Sequence, residues 1–368
     1  MRIIQLITGL NPAGAERVVS DLSRGLAARG HDVEVVSLMP LPASPIVDEL
    51  AAARIPVRSL DLTKGAPWRL FRLPGLLDAM RPHLVHAHMF HANLASRIPG
   101  RGRTYRVVNT VHIAEPRLSR RWLLLLDRLT RERCDRQTVV SEEARAFHAG
   151  KIGIPPDRMP VIYNGIRPPR ILNEAEIRGL RTEWGMEDCD LVLGAVGRLV
   201  DQKGFDILLR ILPAAAARVA PARVGAVILG DGPRRRALAH LAGRLGGGCR
   251  IRLPGFRPDA ADCMGAFDSL VVPSRFEGFG LVLVEGMAHG IPILASRIPP
   301  LVEVGRGYDR VRYVEFREDA AGDVAAALKD LMEAGRTRTP FFPFTIEAMV
   351  DGYLHLYESL LLRTSGAA

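Results

Sequence analysis

The 368-residue sequence has few cysteines and few aromatic residues, and it lacks an apolar run of membrane-spanning length. Its four cysteines show no paired spacing, which argues against a zinc site and against a disulfide framework. No apolar segment reaches the roughly 18 residues of a transmembrane helix. Aromatic residues are not interleaved with basic ones as in nucleic-acid-binding modules, so no nucleic acid partner is expected. These features predict a soluble, globular chain.

The first residues also lack the features of a secretory signal. Only Arg2 precedes a short apolar stretch, and no small-residue cleavage site follows, so MRIIQLITGL is typical of a first buried strand. The expected location is therefore cytoplasmic, with peripheral attachment to the cytosolic face of a bacterial inner membrane as a further expectation.

The formal net charge of +10 is concentrated in the first half of the chain. Residues 1–165 contain 24 Lys and Arg against 15 Asp and Glu (24 − 15 = +9), which leaves 26 against 25, or +1, for residues 166–368. Such asymmetry favours an acidic partner for the first half, and an anionic membrane surface fits better than nucleic acid.

Short apolar runs alternate with longer helical patterns in two series, one beginning at RIIQLIT and the other at LVLGAVGRL. This rhythm predicts parallel sheets covered by helices on both faces. The segment NGIRPPRILNEAE between the series is a plausible linker. We predict α/β architecture with two Rossmann-like, doubly wound domains, residues 1–168 and 169–345, and a C-terminal helix, 346–368, that packs back toward the first domain.

In such sheets ligands bind beyond the carboxyl ends of the strands, so the loops there carry the candidate site residues. The first loop, TGLNPAGAER, places Gly14 at a helix N-terminus, but its spacing is not GxGxxG and an ordinary turn is the alternative. A later strand ends at His112, whose position at a carboxyl strand end favours a role in the ligand-binding cleft, with a place in the core as the alternative. Between them, HLVHAHMFHANL contains four histidines, with no acidic or cysteine ligand near, so a structural or substrate-lining role is favoured over a metal site: His83, His86, His88 and His91.

The second series contains cations and carboxylates in corresponding loops. Arg198 and Lys203 suit a diphosphate, because they offset its charge through charge-assisted hydrogen bonds, with a solvated pair as the alternative. The stretch RFEGFGLVLVEG places Glu277 and Glu285 around a helix N-terminus that favours an anion. Carboxylates near a phosphate are best used to accept hydrogen bonds from hydroxyl groups, as in a sugar or a ribose.

Taken together, these segments resemble the retaining glycosyltransferases of family 4, which have the GT-B fold. The resemblance covers nearly the whole chain and rests on AGAERVV, VHAHMFHANL, VSE, VIYNGI, GRLVDQKGFDILL, GDGP, LPGF and PSRFEGFGLVLVEGMAHGIPILAS. The last contains two glutamates separated by seven residues, the hallmark of the family. It implies two Rossmann-like domains facing a cleft, the first binding the acceptor and the second a nucleotide sugar.

The resemblance also implies roles for individual residues. Arg198 and Lys203 would bind the donor diphosphate and stabilise the leaving nucleotide. Glu277 would bind the donor sugar, Glu285 the ribose, and His112 would reach the donor sugar from the first domain. No metal or cofactor is implied besides the nucleotide sugar, for which UDP is favoured and GDP is the alternative. Further donor-binding candidates are Gly14, Gly230, Gly255, Phe256, Gly278, Phe279, Gly280 and Leu281, and acceptor-side candidates are His88, His91 and Asn164.

Two positions depart from the family pattern. Ala13 stands where many relatives have a second glycine, and Pro299-Pro300 stands where a Gly-Gly pair is common. Because proline lacks an N–H and fixes φ, backbone contacts to a ligand there would differ. Glu303 falls where relatives have a glutamate.

The Arg-rich segment 117–136 allows two interpretations. Its apolar residues share one helical side with arginines at the flanks, which is typical of a helix lying on anionic lipid, but also of a core helix with a basic solvent face. The apolar residues are Trp122, Leu123, Leu125, Leu126 and Leu129, and the arginines are Arg120, Arg121, Arg128 and Arg131.

The sequence thus predicts a nucleotide-sugar-dependent hexosyltransferase that acts with retention on a saccharide acceptor. The acceptor is expected to be lipid-linked, in lipopolysaccharide, exopolysaccharide or glycolipid biosynthesis. Transfer to a small soluble acceptor, a two-lobed epimerase or phosphorylase, and a non-enzymatic sugar-binding protein are the alternatives.

Overall fold

The computed structural model describes residues 1–99, 102–112, 121–244, 248–333 and 338–365. The chain forms two compact units. Unit 1 contains Met1–Ile166 together with Phe344–Ala368, and unit 2 contains Arg167–Pro343. The chain therefore crosses from one unit to the other within the Pro-containing segment after Ile166 and returns after Pro343.

Unit 1 is built on a parallel sheet with the strand order β3-β2-β1-β4-β5-β6. The order reverses between β1 and β4, which makes the carboxyl ends of these two strands the topological switch point where doubly wound folds bind ligands. The strands are β1 (Arg2–Ile7), β2 (Asp32–Ser37), β3 (Val57–Ser59), β4 (Leu84–His88), β5 (Arg106–Val111) and β6 (Arg136–Val139).

Helices follow the strands of unit 1 as the apolar periodicity predicts. Ser44 caps the second helix and Ser141 the sixth, each accepting a hydrogen bond from a backbone N–H of the first turn. One core lies between the sheet and the third and fourth helices. The helices are α1 (Gly14–Ala28), α2 (Pro45–Ala52), α3 (Leu73–Met80), α4 (Phe90–Ser96), α5 (Arg121–Thr130) and α6 (Glu142–Ile152), and short 3₁₀ helices cover Pro67–Arg72, Arg131–Arg133 and Pro156–Arg158.

Unit 2 repeats this topology with the strand order β12-β11-β10-β7-β8-β9, again all parallel. Its switch point lies between β7 and β10. The strands are β7 (Leu191–Val196), β8 (Val224–Leu229), β9 (Cys249–Gly255), β10 (Ser269–Val272), β11 (Ile293–Ser296) and β12 (Val311–Val314).

The helices of unit 2 begin directly after the inter-unit segment, where Asn173 and Glu176 form a capping box. The main apolar core of the unit packs the eighth and thirteenth helices of the chain against the sheet. The helices are α7 (Glu174–Glu183), α8 (Phe205–Ala217), α9 (Arg235–Arg244), α10 (Ala260–Cys263), α11 (Leu281–Ala288), α12 (Pro299–Val304) and α13 (Ala321–Glu333), with 3₁₀ helices at Asp201–Lys203 and Met264–Ala266.

The last helix, α14 (Ile346–Ser365), returns to unit 1 and packs on α1. The two helices approach closely, since a Cβ atom added to Gly25 of α1 would lie 2.5 Å from Cγ2 of Val350. Tyr353 and Tyr357, one turn apart on α14, are fully buried. The C-terminal helix is therefore an integral part of unit 1.

Helix α5 presents its apolar side to solvent, which contradicts its interpretation as a core helix. Asp127 faces inward and forms a buried ion pair with Arg97, which directly follows α4. The opposite side exposes most of the apolar stripe. Trp122 is 59%, Leu125 55% and Leu129 70% exposed, whereas Leu123 is half-buried. Of the flanking residues, 117–120 and the side chain of Arg121 lie outside the described part of the chain.

Across the described residues, no helix combines the length and hydropathy that crossing a membrane requires.

Candidate functional site

Several of the predicted site residues lie at the ends of the strands that border the two switch points. In unit 1, Gly14 comes after β1, and His88 ends β4. In unit 2, Arg198 and Lys203 come after β7, and Glu277 comes after β10. Because the strands are parallel, the loops of each unit emerge at one edge of its sheet.

The structure brings two of the predicted site residues of unit 2 into direct contact. Nζ of Lys203 lies 2.6 Å from Oε1 of Glu277, and the Ser274 hydroxyl donates a hydrogen bond of 2.7 Å to the same carboxylate oxygen. The Glu277 side chain is only 8% exposed and that of Lys203 20%. This ion pair fixes the Glu277 carboxylate, and the second oxygen, Oε2, remains for a further donor such as a sugar hydroxyl.

Further contacts hold the loop after β7 against the loop after β10. Nε2 of Gln202 donates to the carbonyl oxygen of Phe276 at 3.0 Å, and the guanidinium of Arg275 donates to both carboxylate oxygens of Asp206 at 2.7 Å. Gly204, at φ +67°, lets the loop pass so close that a Cβ atom would lie 2.0 Å from the carbonyl oxygen of Pro273. Lys203 and Glu277 are thus held by backbone as well as by side chains.

Arg198 differs from Lys203 in being an exposed cation. Its guanidinium makes no hydrogen bond or ion pair with the residues that the structure describes. The turn after β7 and the turn after β8 are in close contact beside Arg198. A Cβ atom added to Gly230, whose φ is +149°, would lie only 1.9 Å from the carbonyl oxygen of Gly197. Gly255 ends β9, and the Phe256 side chain is exposed next to it. An uncompensated guanidinium beside close-packed backbone suits an incoming anion.

Helix α11 begins at Leu281, after Gly280 at φ +94°. Glu277 and Gly278 therefore precede the helix, while Glu285 is its fifth residue and is half-buried. Phe279 is buried, which anchors the loop at the start of the helix. The two glutamates are thus carried by different structures, one by the loop and one by the helix.

In unit 1 three of the histidines, His86, His88 and His112, belong to a hydrogen-bonded layer under α14. Nδ1 of His86 lies 2.6 Å from the Tyr357 hydroxyl, and its Nε2 lies 2.6 Å from Oγ1 of Thr110. Nδ1 of His88 lies 2.9 Å from Nε2 of His112, and its Nε2 lies 2.7 Å from Oε1 of Gln5. His86 and His88 therefore use both ring nitrogens within the protein.

Burial keeps these imidazoles neutral. It lowers the pKa of His86 and of His88 well below the usual value, and it lowers the pKa of His112 to about 4. His112 is the partly exposed member of the layer. Among the described residues, no group of three or more His, Cys, Asp or Glu side chains is arranged to hold a metal ion.

The remaining candidates occupy varied positions. His91 is exposed on the first turn of α4, and Asn164 is buried with an Oδ1 atom that has no partner among the described residues. Gly14 is the first residue of α1, and Ala13 is its extended N-cap. The proline pair at 299–300 opens α12, where a missing N–H breaks no helical hydrogen bond.

Sequence reasoning missed several residues that hold the site together. Gln5 is the one polar residue among the buried positions of the strand RIIQLI, which the sequence could have indicated, but its partners are remote in the sequence. Tyr353 and Tyr357 show the i, i+4 spacing of a helix face, although nothing local indicates a buried histidine layer. Ser274 lies three residues before Glu277 and gives no signal of the hydrogen bond between them.

Comparison with known families agrees with this architecture. Residues 12–170 match the family described as Glycosyltransferase Family 4, and residues 190–334 match the family described as Glycosyl transferases group 1. The first match covers most of unit 1 up to the inter-unit segment, and the second covers the sheet of unit 2 with the loops that carry Lys203 and Glu277.

Individual relatives are similar over most of the chain. An uncharacterised glycosyltransferase of Methanocaldococcus jannaschii is 28% identical over 312 residues, 77% of this chain and 76% of that protein. The D-inositol 3-phosphate glycosyltransferase of Rhodococcus jostii is 29% identical over 348 residues, 84% and 75% respectively. The structure of Anabaena HepE in complex with UDP and glucose has a TM-score of 0.79 at 20% identity and covers 98% of this chain and 100% of that one. The chain belongs to the family 4 glycosyltransferases, and the predicted GT-B fold is confirmed.

Proposed function

We propose that this glycosyltransferase moves a hexose from a nucleoside diphosphate sugar to a hydroxyl group of a saccharide acceptor, with retention of the anomeric configuration. The acceptor oxygen bonds to the anomeric carbon on the face from which the nucleotide leaves. The bond from that carbon to the diphosphate breaks, and a phosphate oxygen of the leaving nucleotide takes the hydroxyl proton. Stabilisation of the departing diphosphate supplies most of the catalysis in this scheme.

The single observation that carries the proposal is the fixed Lys203–Glu277 pair beside the exposed cation Arg198. Arg198 and Lys203 together offset the charge of the diphosphate, so the scheme requires no metal. Glu277 accepts hydrogen bonds from sugar hydroxyls, and Glu285 accepts them from the ribose. His112 bonds a sugar hydroxyl. The fold shared with HepE, whose structure contains UDP and glucose, supports UDP as the nucleotide, with GDP as the alternative.

Nucleotide binding tests the donor site directly. Thermal unfolding in the presence of UDP-, GDP- and ADP-glucose measures which nucleotide binds the folded state, since such a ligand raises the melting temperature. We expect one series to stabilise the protein and Arg198→Gln to weaken its Kd about 10- to 100-fold, because a charge-assisted contact is lost.

Arg223→Gln is the matched control for Arg198→Gln. Arg223 is also a surface arginine, but it immediately precedes β8 and pairs with Asp190 at the amino ends of the strands, away from the candidate loops. Equal loss of nucleotide affinity in both variants, or no stabilisation of the wild type by any nucleotide sugar, would refute the donor assignment. The anomeric proton coupling of the product, compared with that of the donor, decides between retention and inversion.

A lipid-linked saccharide is the acceptor that the surface of unit 1 favours. The exposed stripe of α5 offers apolar area to a bilayer, and the 3₁₀ helix Pro67–Arg72 adds an exposed Trp68 and Phe71 with arginines beside them. Combined with the +9 balance of residues 1–165, these surfaces fit peripheral attachment to anionic lipid at the cytosolic face. Transfer assayed with lipid-linked saccharides in vesicles tests this acceptor class.

A small soluble acceptor is the second candidate, favoured by the similarity to the D-inositol 3-phosphate glycosyltransferase over 84% of the chain. An assay with soluble polyol phosphates and free saccharides, run without vesicles, discriminates the two. Turnover that requires vesicles supports the lipid-linked acceptor, whereas turnover with a soluble acceptor at equal rate in their absence supports the second candidate.

A further inference from the structure

A chain of three hydrogen-bonded side chains in unit 1 ends at His112. Oε1 of Gln5 lies 2.7 Å from Nε2 of His88, and Nδ1 of His88 lies 2.9 Å from Nε2 of His112. Gln5 and His88 are completely buried, and His112 is the partly exposed end. Nδ1 of His112 has no hydrogen-bond partner among the residues that the structure describes.

Each imidazole in this chain is neutral, because burial lowers the pKa of His88 well below its usual value and that of His112 to about 4. A neutral imidazole has one N–H donor and one acceptor nitrogen. The two rings share a single hydrogen bond, so the proton position on one ring dictates the proton position on the other. The group at the buried end therefore determines which nitrogen of His112 carries its proton.

The amide of Gln5 is that group. Oε1 of Gln5, an oxygen that can only accept, lies 2.7 Å from Nε2 of His88, so the ring nitrogen donates to it, and the Gln5 amide nitrogen has no hydrogen-bond partner among the residues that the structure describes. His88 then has its proton on Nε2 and accepts at Nδ1.

We infer that Gln5 and His88 are positioning residues that hold His112 in its Nε2–H tautomer, so that Nδ1 accepts a hydrogen bond from a hydroxyl group of the bound sugar. The sugar contact rests on the proposed function, but the tautomer does not. An acceptor nitrogen here selects a sugar with a hydroxyl at the contacted carbon, and a deoxy analogue loses the bond. This gives His112 a specificity-determining role toward the donor sugar.

Nitrogen-15 NMR of the intact protein with ring-labelled histidine measures the tautomer without any activity assay. The spectrum of His112→Gln identifies the signals of His112 among those of the 10 histidines. We expect Nε2 of His112 to be protonated and Nδ1 to be unprotonated at neutral pH. If Nδ1 of His112 is protonated instead and Nε2 is not, then Gln5 donates to His88. This result would overturn the inference, and the wild-type protein is sufficient to obtain it.

The variant Gln5→Met tests the positioning role. It keeps the side-chain length and removes the acceptor, so His112 is expected to populate both tautomers and kcat/KM for transfer to fall about tenfold, the value of one net hydrogen bond. Thr138→Val is the control, since it removes a hydroxyl 2.5 Å from Oγ1 of Thr110 in the same layer but outside the chain. We expect this control to leave the tautomer of His112 unchanged.

The outcomes separate the two proposals. An unchanged tautomer in Gln5→Met, whatever happens to kcat/KM, would reduce Gln5 to a packing residue and overturn the positioning role. If the tautomers behave as expected but no sugar is transferred, the proposed function fails while the hydrogen-bond chain stands. Discrimination against the matching deoxy sugar that disappears in Gln5→Met supports the specificity role.

Discussion

At the scale of single residues, the proposed donor-site role of the Lys203–Glu277 pair would join stability to ligand binding. Lys203→Met removes the cation and leaves the Glu277 carboxylate nearly buried beside Ser274 alone. Because breaking one half of a buried pair leaves an uncompensated charge, the free energy of unfolding should fall by about 3 kcal/mol, measurable by urea denaturation. Nucleotide-sugar affinity should fall at the same time, as judged by calorimetry.

Glu277→Gln separates these effects. The amide preserves the shape of the side chain and can accept a hydrogen bond from Lys203, so we expect the free energy of unfolding to fall by only about 1 kcal/mol. We expect kcat/KM to fall about 100-fold, because an amide binds a sugar hydroxyl more weakly than a carboxylate does. The control is Arg223→Gln, which breaks the exposed pair with Asp190 at the amino ends of the strands, away from the candidate loops. A Glu277→Gln enzyme with wild-type kcat/KM would remove Glu277 from the site.

The neutral histidine layer predicts that acid weakens the fold. The folded-state pKa values of His86, His88 and His112 lie below the usual 6.5, so the unfolded chain binds more protons as the pH falls below that value. Their contribution is complete above about pH 6.5 and is lost toward pH 4, by up to about 1.4 kcal/mol per pH unit for each histidine. Other titratable groups facing the layer are Tyr353 and Tyr357, which do not ionise in this range.

Urea denaturation at pH 7.5 and pH 5.0 measures this loss. His112→Gln should reduce the difference between the two free energies of unfolding, because one of the three titrating groups is gone. A variant that shows the wild-type pH dependence would mean that His112 titrates in the folded state as it does in the unfolded chain.

At the scale of elements, α14 is tied to unit 1 by polar as well as apolar contacts. Tyr357→Phe removes only the hydroxyl that lies 2.6 Å from Nδ1 of His86 and leaves that nitrogen buried without its partner. The expected cost is about 1–3 kcal/mol in the free energy of unfolding. Tyr163→Phe, which removes a hydroxyl from a side chain of a more exposed residue, is the control and should cost less than half as much. Equal costs would mean that the His86 contact contributes nothing.

For helix α5 we expect the opposite behaviour: substitutions on its exposed side should change the binding to lipid vesicles without changing the stability of the fold. In the double variant Leu125→Ser/Leu129→Ser, binding to phosphatidylglycerol vesicles should weaken about 10- to 100-fold, since two exposed apolar side chains no longer enter the lipid. The melting temperature should stay within about 2 °C, because neither side chain is in the core. Ile171→Ser, at an exposed position of unit 2, is the control for the vesicle assay. Vesicle binding that resists the double variant would exclude α5 as the docking element.

At the scale of the whole molecule, the fold could be predicted from the sequence, but only part of the candidate site could be. Strand-end loops are local, so Arg198, Lys203 and Glu277 could be placed by the βα rhythm alone. The hydrogen bond between Lys203 and Glu277 could not be predicted in this way, because it depends on how two loops that lie 74 residues apart in the sequence pack together. The same holds for α5: periodicity reveals an apolar stripe, whereas the ion pair between Arg97 and Asp127, which turns that stripe outward, is a long-range contact.

The charge distribution leads to a last prediction for the intact chain. If the excess of +9 in residues 1–165 attracts anionic lipid as proposed, it does so over a Debye length that shrinks from about 10 Å at 0.1 M salt to about 3 Å at 1 M. Binding to phosphatidylglycerol vesicles should therefore weaken steeply across this range and be nearly absent for zwitterionic vesicles, as measured by sedimentation. The α5 double variant should keep the wild-type salt slope at lower affinity, because its charge is unchanged. Salt-independent binding would mean that apolar contacts alone hold the protein to lipid and that the charge asymmetry serves another partner.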